Sequence, residues 1–371
     1  MRILVTGGAG FVGSHLVDAL LAKGHRVRVY DSLDRQVHPG GRVPSYLAED
    51  IEFVHGDMRD RDRLQAALDG IEVVYHQAAY VGVGQSMYEI RRYVDGNSVG
   101  GATLLDILAN EKHDVKKVVV ASSMSIYGEG AYRCTDCGDV SPMLRSREQM
   151  GRFDWELDCP TCEGKLSAIA TPESKPLQPT SIYAVTKRDH EEMFLAFGRA
   201  YDLPTVALRY FNIYGSRQAL SNPYTGVLAI FGGRLLSGNA PVIYEDGRQS
   251  RDFVHVNDIV QANILAMEKD EANYEVFNVG TGRSSSIGEI NDLFQQRLGV
   301  HVPPDVRNQF REGDIRHCYA DISKIRSKLG YEPTIMLEQG VDELTDWVKE
   351  QEAVDTFESA AAELASHGLV S

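Results

Sequence analysis

Arg2-Ile3-Leu4-Val5-Thr6-Gly7-Gly8-Ala9-Gly10-Phe11-Val12-Gly13, followed by Val27-Arg28-Val29-Tyr30-Asp31, decides how this chain folds. Residues 2–6 are a β-rich run that ends in a glycine turn. A helical face of Val12, Leu16, Leu20 and Leu21 follows and stops at Gly24. The second β run closes on Asp31. Strand, glycine turn, helix, strand, acid is a βαβ unit. Gly7-x-x-Gly10-x-x-Gly13 is not the commoner G-x-G-x-x-G, but the demand is similar. The turn needs a residue without Cβ, and the backbone must come close to a pyrophosphate. Phe11 and Val12 open a helix whose free N–H groups and dipole suit phosphates. Asp31, with Ser32 behind it, would accept hydrogen bonds from a ribose diol and repel a 2′-phosphate. That favours NAD over NADP, with Arg35 the one residue against. The rival reading is a glycine turn that holds nothing.

Further β runs lie at 51–55, 72–77, 117–122 and 205–209, with helical patterns near 60–69, 97–111 and 181–202. Such alternation implies a mostly parallel, doubly wound α/β sheet of Rossmann type. Ligands in such sheets sit beyond the carboxyl ends of strands. The groups waiting there are Asp57 and Met58 after the third strand and Gln77, Ala78 and Ala79 after the fourth. Asp57 is placed to meet an adenine amino group. From about Glu129 to Pro179 the rhythm breaks in a polar stretch with four of the five cysteines. Three units are expected: residues 1–212 as a dinucleotide-binding domain carrying the 129–179 insertion, 213–350 as a smaller substrate lobe, and 351–371 as a tail, helical or frayed.

The chain has 371 residues, 43% hydrophobic and 25% charged, which excludes disorder over its length. Its formal charge of −15 repels nucleic acid and anionic membranes, so neither is an expected partner. No run approaches the roughly 18 apolar residues of a membrane span. The opening residues enter a strand at once, which leads to the expectation of a cytoplasmic, reducing location.

Ser123 ends the fifth strand, and Tyr183-Ala-Val-Thr-Lys187 opens the helix after the insertion. Tyr and Lys four apart share one helical face. A free tyrosine has a pKa near 10, too high for a base at neutral pH. An adjacent ammonium and a positive nicotinamide would bring it down. Ser123 would then hydrogen-bond the substrate hydroxyl that loses its proton. The rival reading is a solvated helix face that matches by chance.

The glycine turn, Asp31, Asp57, Asn97, Ser123, Tyr183-x-x-x-Lys187, Arg209-Tyr210-Phe211-Asn212 and Arg251-Asp252-Phe253-Val254-His255-Val256 together resemble the extended short-chain dehydrogenase/reductase family. The likeness is to its NAD-dependent nucleotide-sugar epimerase/dehydratase branch, over about residues 1–350. The resemblance implies that Asn97 and Phe211 join the NAD site. It implies that Ser125, Asn212, Arg251, Arg311 and Asp314 bind a nucleotide-diphosphate sugar. It also implies a homodimer built from the helices near 97–111 and 181–202. For Arg251, the alternative is a surface pair with Asp252 or Asp258.

The branch oxidises C4 of the sugar with tightly held NAD. Its 4,6-dehydratases carry Asp-Glu directly after the catalytic Thr, and its decarboxylases tend to keep a Glu there. Here Met124 and Ser125 stand in those places, and neither can do general acid–base work at that site. A 4-epimerase remains: oxidation, rotation of the 4-keto sugar, and re-reduction on the other face. The cysteine-bearing chain most resembles dTDP-L-rhamnose 4-epimerases, which form dTDP-6-deoxy-L-talose. UDP-hexose or UDP-uronate 4-epimerases, a dehydratase or reductase of the same fold, and a non-catalytic NAD-binding regulator are the alternatives.

Cys134-Thr-Asp-Cys137 and Cys159-Pro-Thr-Cys162 form two C-x-x-C knuckles, with residues 138–158 between them. Four thiolates suit a closed structural zinc site; disulfides or free thiols are the alternatives. Gly138 and Gly164 would ease the two turns. Lying between Ser123 and Tyr183, the insertion would act as a lid or as a wall of the substrate lobe. Cys318 is expected as a small buried hydrophobe.

Overall fold

Successive side chains of a strand point to opposite faces, and the apolar runs of this chain use both. A computed structural model describes residues 1–49 and 51–371. Seven parallel strands form one sheet: β1 (Arg2–Thr6), β2 (Arg26–Asp31), β3 (Glu52–His55), β4 (Val73–His76), β5 (Lys117–Ser123), β6 (Thr205–Tyr210) and β7 (Val276–Val279). Their order is β7-β6-β5-β4-β1-β2-β3. Leu4, Val74, Val118 and Val120 pack under helices α2 (Arg61–Ala67), α3 (Gly100–Asn110) and α4 (Ile182–Tyr201). Their neighbours Ile3, Val5, Tyr75, Val119 and Ala121 belong to the opposite core. Burial on both faces is why these strands read as unbroken apolar runs. The strand order reverses between β1 and β4, so a crevice opens at their carboxyl ends.

The second lobe is helical. Helices α5 (Val227–Leu236), α7 (Ile287–Leu298) and α8 (Leu337–Lys349) close on Phe231, Phe294, Val341, Leu344 and Val348. The expected boundary at residue 212 is not where the first lobe ends. Helix α6 (Val256–Glu268) packs on α1 (Phe11–Ala22), and β7 pairs with β6 from Val276↔Ala207 to Val279↔Tyr210. Phe277 and Val279 are fully buried, and Ile259, Ala262 and Ala266 cover the face they enter. The chain thus leaves the first lobe, returns to complete its sheet, and leaves again. Helix α9 (Phe357–Ser366) lies in what was expected as a tail. Among the described residues, no helix is long and apolar enough to cross a membrane.

The insertion folds as a three-stranded antiparallel sheet, Ala131–Cys134 between Gly138–Val140 and Leu166–Ile169. Its two roots are sewn to the second lobe. The Gly130 amide donates to the His317 carbonyl (2.9 Å) and the Thr171 amide to the Tyr319 carbonyl (2.8 Å). Beside them lies a buried charge network. The Arg316 side chain, fully buried, meets Glu156 (2.6 Å), Glu245 (2.8 Å) and Asp246 (2.7 Å). Arg145 meets Glu245 at 2.8 Å, and both oxygens of Glu129 accept from the Arg316 amide. The insertion is therefore a wall of the second lobe rather than a free lid.

Removing one partner from such a network strands buried charge. Arg316→Ala is expected to lower stability by about 3–5 kcal/mol, read as the urea midpoint. An unchanged midpoint would contradict the network's role.

Candidate active site

The glycine turn packs too closely for side chains. Gly7 adopts φ +69, and a Cβ there would lie 2.8 Å from the Ala78 backbone. A Cβ on Gly13 would come within 2.2 Å of the Gly7 carbonyl oxygen. Gly10 precedes α1 and offers no side-chain cap, so it supplies no side-chain acceptor to the first-turn amides of Phe11, Val12 and Gly13. An uncapped helix start beside a glycine cradle is what a pyrophosphate needs. When bound there, NAD would supply a nicotinamide that takes a hydride from carbon and gives it back.

At the end of β2, the Asp31 carboxylate accepts from the Ala9 amide (3.0 Å) and the Leu33 amide (2.8 Å). The acid is fixed in place beside the turn. Ser32 follows it and lends its carbonyl to His55 (3.0 Å). Asp57 is held by Arg59 at 2.6 Å, which keeps its carboxyl below the usual range. Met58 is buried against Gly100, and Ala78 and Ala79 continue from β4.

Three of the expected cofactor contacts have partners within the protein. Asn97 is fully buried; its amide accepts from the Tyr80 amide (2.7 Å) and donates to the Tyr80 carbonyl and the Thr186 hydroxyl. It clasps the loop after β4 onto α4. Gln77 donates to Tyr210 (3.0 Å) and Asn263 (3.1 Å). The Phe211 side chain is buried in the core on the α1 face.

The two serines at the end of β5 face apart. Ser122 donates to Glu191 (2.8 Å), which forms a buried ion pair with Arg209. Ser123 accepts from the Ser125 amide (3.1 Å) and the Ser125 hydroxyl (2.9 Å). Both lone pairs of Ser123 are thereby filled, and its own O–H is left to donate. Ser125, expected as a substrate contact, is thus a support for Ser123. Tyr183 and Lys187 stand one turn apart at the start of α4, both nearly buried. Burial pushes the Tyr183 phenol up to about 12, and a hydrogen bond with Ser123 works against that rise. Burial brings the Lys187 ammonium down to about 8; it donates to the Ala121 carbonyl at 2.9 Å. The phenol is therefore raised, not lowered, before a cationic cofactor ring is present.

Two supports of Tyr183 escaped the sequence reading. Ser181 caps α4 through the Ala184 amide (3.1 Å), a serine just ahead of a helix that could have been read. The Ser86 hydroxyl accepts from the Tyr183 amide (3.0 Å) across 97 residues, and no local pattern signals that.

The anchors expected for a diphosphate come from three stretches. The Asn212 amide oxygen is buried with no partner in the protein. A half-turn of that amide would present its NH₂ instead. Arg251 donates to the carbonyls of Ser250 (2.8 Å), Arg316 (2.9 Å) and Ile315 (2.7 Å). It does not pair with Asp252 or Asp258. Asp252 accepts from Thr281, Gly282 and Ala320, and Asp258 from Thr334. Arg311 pairs with Asp314 (2.8 Å) and lies 4.7 Å from the centre of the Tyr244 ring.

The four insertion sulfurs lie within 4.8 Å of one another, and Cys134 Sγ is 3.4 Å from Cys162 Sγ. All are free thiols, far beyond a disulfide bond length of about 2.05 Å. Gly138 turns at φ +76 as expected, but on the other knuckle Glu163 takes the left-handed turn at φ 61. Gly164 is needed for room, since a Cβ there would sit 3.3 Å from Cys162 Sγ. Cys318 is buried beside Thr171, as a small core residue should be.

Comparison with known proteins gives a consistent neighbourhood. Residues 3–147 match the NAD dependent epimerase/dehydratase family, and residues 162–344 match the GDP-mannose 4,6 dehydratase description. The dTDP-L-rhamnose 4-epimerase of Burkholderia thailandensis is 33% identical over 94% of this chain and 95% of that protein. The Thermus thermophilus UDP-glucose 4-epimerase complex with NAD superposes with TM-score 0.74, at 29% identity over 95% of this chain and 100% of that one. The Bacillus cereus UDP-glucuronic acid 4-epimerase, solved with UDP-glucuronic acid and NAD, gives TM-score 0.76 at 28% identity, covering 94% and 99%.

Turnover should rise with pH on the acid side as Tyr183 gives up its proton. In Lys187→Met that rise should move to higher pH, with a loss of about 10²–10⁴-fold near neutrality. The gap between the two pH–rate profiles should be widest below about pH 8, where Lys187 keeps its charge, and narrow above it. Superimposable profiles would remove Lys187 from the chemistry.

Proposed function

The chain belongs to the NAD dependent epimerase/dehydratase family as a nucleotide-sugar epimerase, and from that premise we propose that it inverts C4 of dTDP-L-rhamnose to give dTDP-6-deoxy-L-talose. One observation carries epimerisation over dehydration. Behind Ser123, Met124 is buried in the core and Ser125 is spent on Ser123. Neither position offers an acid or base to C5 or C6 of a 4-keto sugar.

What remains is proton handling at one oxygen. The Tyr183 phenolate takes the proton of the 4-hydroxyl and later returns it. The Ser123 O–H, with its lone pairs filled, donates to that same sugar oxygen. Asn212, Arg251 and Arg311 hold the diphosphate while the 4-keto sugar swings to present its other face. Two guanidiniums in a chain of charge −15 suit that dianion. Asp314, paired with Arg311, sets the direction of that arm. The glycine turn and Asp31 hold NAD throughout the cycle.

The choice of sugar rests on the Burkholderia relative. A UDP-hexose or UDP-uronate is the second reading, favoured by the likeness to the Thermus and Bacillus enzymes. A panel of dTDP- and UDP-sugars, incubated with no added cofactor and followed by product NMR, decides between them. The expected product is the C4 epimer of dTDP-L-rhamnose. A UDP-sugar epimer would move the assignment to the second reading, and a stable 4-keto-6-deoxy product would replace epimerisation altogether.

We further propose that Cys134, Cys137, Cys159 and Cys162 hold one zinc in a closed, structural site. The donor set fits, since four soft ligands leave no position open for catalysis. The homodimer expected from the helices near 97–111 and 181–202 is supported by Val99 and Val185, which those stretches leave exposed. The purified protein should carry one zinc per chain, lose it in Cys134→Ser, and sediment at twice the chain mass. A metal-free or monomeric protein would refute the corresponding statement.

A further inference from the structure

The end of the chain touches both halves of the site. After α9 it turns back, and Val370 bridges to Arg311 in antiparallel fashion. The Phe310 amide donates to the Ser371 carbonyl (3.0 Å), the Ser371 amide to the Phe310 carbonyl (3.1 Å), and the Glu312 amide to the Leu369 carbonyl (3.0 Å). Arg311 is thus held as the centre of a short strand pair. Its guanidinium lies over Tyr244, and Phe357 of α9 packs in the same small cluster as Tyr244 and Val242.

The far end of α9 meets the other lobe. Leu364 is buried against Gly84, where a Cβ would come within 3.0 Å of its Cδ2. The His367 ring stacks on Tyr88, with centroids 4.8 Å apart and planes 8° from parallel. Between Gly84 and Tyr88 lies Ser86, the residue that accepts from the Tyr183 amide. One segment therefore packs against the turn beneath Tyr183 and pairs with the backbone of Arg311.

A passive tail would have no need to engage both lobes, and ordering it costs conformational entropy. An arginine on an irregular arm is a loose anchor unless its backbone and its stacking ring are both fixed. We propose that residues 357–371 are a positioning strap for the substrate site. The terminal strand aims Arg311 at the diphosphate, and Leu364 with His367 braces the turn that carries Tyr183. The inference rests on Arg311 as a diphosphate anchor, the role argued under the proposed function.

The test compares three proteins: the full chain, a chain ending at Gly368, and Leu364→Ala. Each is titrated calorimetrically with dTDP and with UDP, and its KM and kcat are measured on the sugar nucleotide that the full chain turns over. Thermal melting confirms that each is folded. The chain ending at Gly368 should bind the diphosphate roughly tenfold more weakly and raise KM in proportion, with kcat little changed. Leu364→Ala should instead lower kcat and leave nucleotide affinity near that of the full chain. Equal nucleotide affinity in the full chain and the Gly368-ended chain would overturn the strap alone. A full chain that binds neither nucleotide would overturn the anchor reading, and the strap with it.

Discussion

A phenol that must ionise inside a dry cleft governs the architecture around Tyr183. Burial holds its proton to about 12, so charge stabilisation has to be brought to it. Lys187 stands one turn away, itself weakened as a cation by burial to about 8. Ser123 is turned into a donor by Ser125, and Ser86 and Ser181 fix the start of α4. From the same helix, Glu191 ties Ser122 and Arg209 together, so the carboxyl ends of β5 and β6 are braced against it. A bound nicotinamide would add the missing positive charge. The same burial that raises the phenol also keeps water from the sugar carbon during oxidation.

The parts of this arrangement set by local rules could be read in the sequence. Gly7 and Gly13 have no tolerance for a Cβ, Asp31 ends its strand, and Tyr183 and Lys187 share a helix face; each rests on spacing within a few residues. The doubly wound sheet was legible because its strands are buried on both faces. Long-range pairings were not. Phe277–Val279 reads as a short strand of the second lobe, yet it completes the first sheet as its edge. Asn97 and Phe211 sit at family positions and Gln77 at a strand end, but the partners seen in the protein are Tyr80, the core and Tyr210. Arg251 turns toward backbone carbonyls rather than the acids beside it, because Asp252 and Asp258 are already committed to cap other segments. The closing segment reads as a helix or a frayed tail because its apolar residues are few and far apart, and their spacing carries no sign of the partners Gly84 and Tyr88.

The insertion is joined to the second lobe at its roots. Its cysteine end is exposed in part, while its root enters the second lobe through Glu129 and Arg316. The Arg316 backbone in turn accepts from Arg251. The root of the insertion thus reaches, by direct contacts, the arginine proposed above as a diphosphate anchor. Buried charges of this kind are costly to desolvate and are retained where a fixed geometry matters more than gross stability.

The chemistry of the cleft centres on Tyr183. Tyr183→Phe keeps the ring and its packing and removes only the titrating oxygen. Turnover of the protein's sugar nucleotide should fall by about 10²–10⁴-fold, while the amount of NAD bound per chain stays that of the unmodified protein. Full turnover in the variant would contradict the assignment of the base, and with it the chemistry built on this cleft.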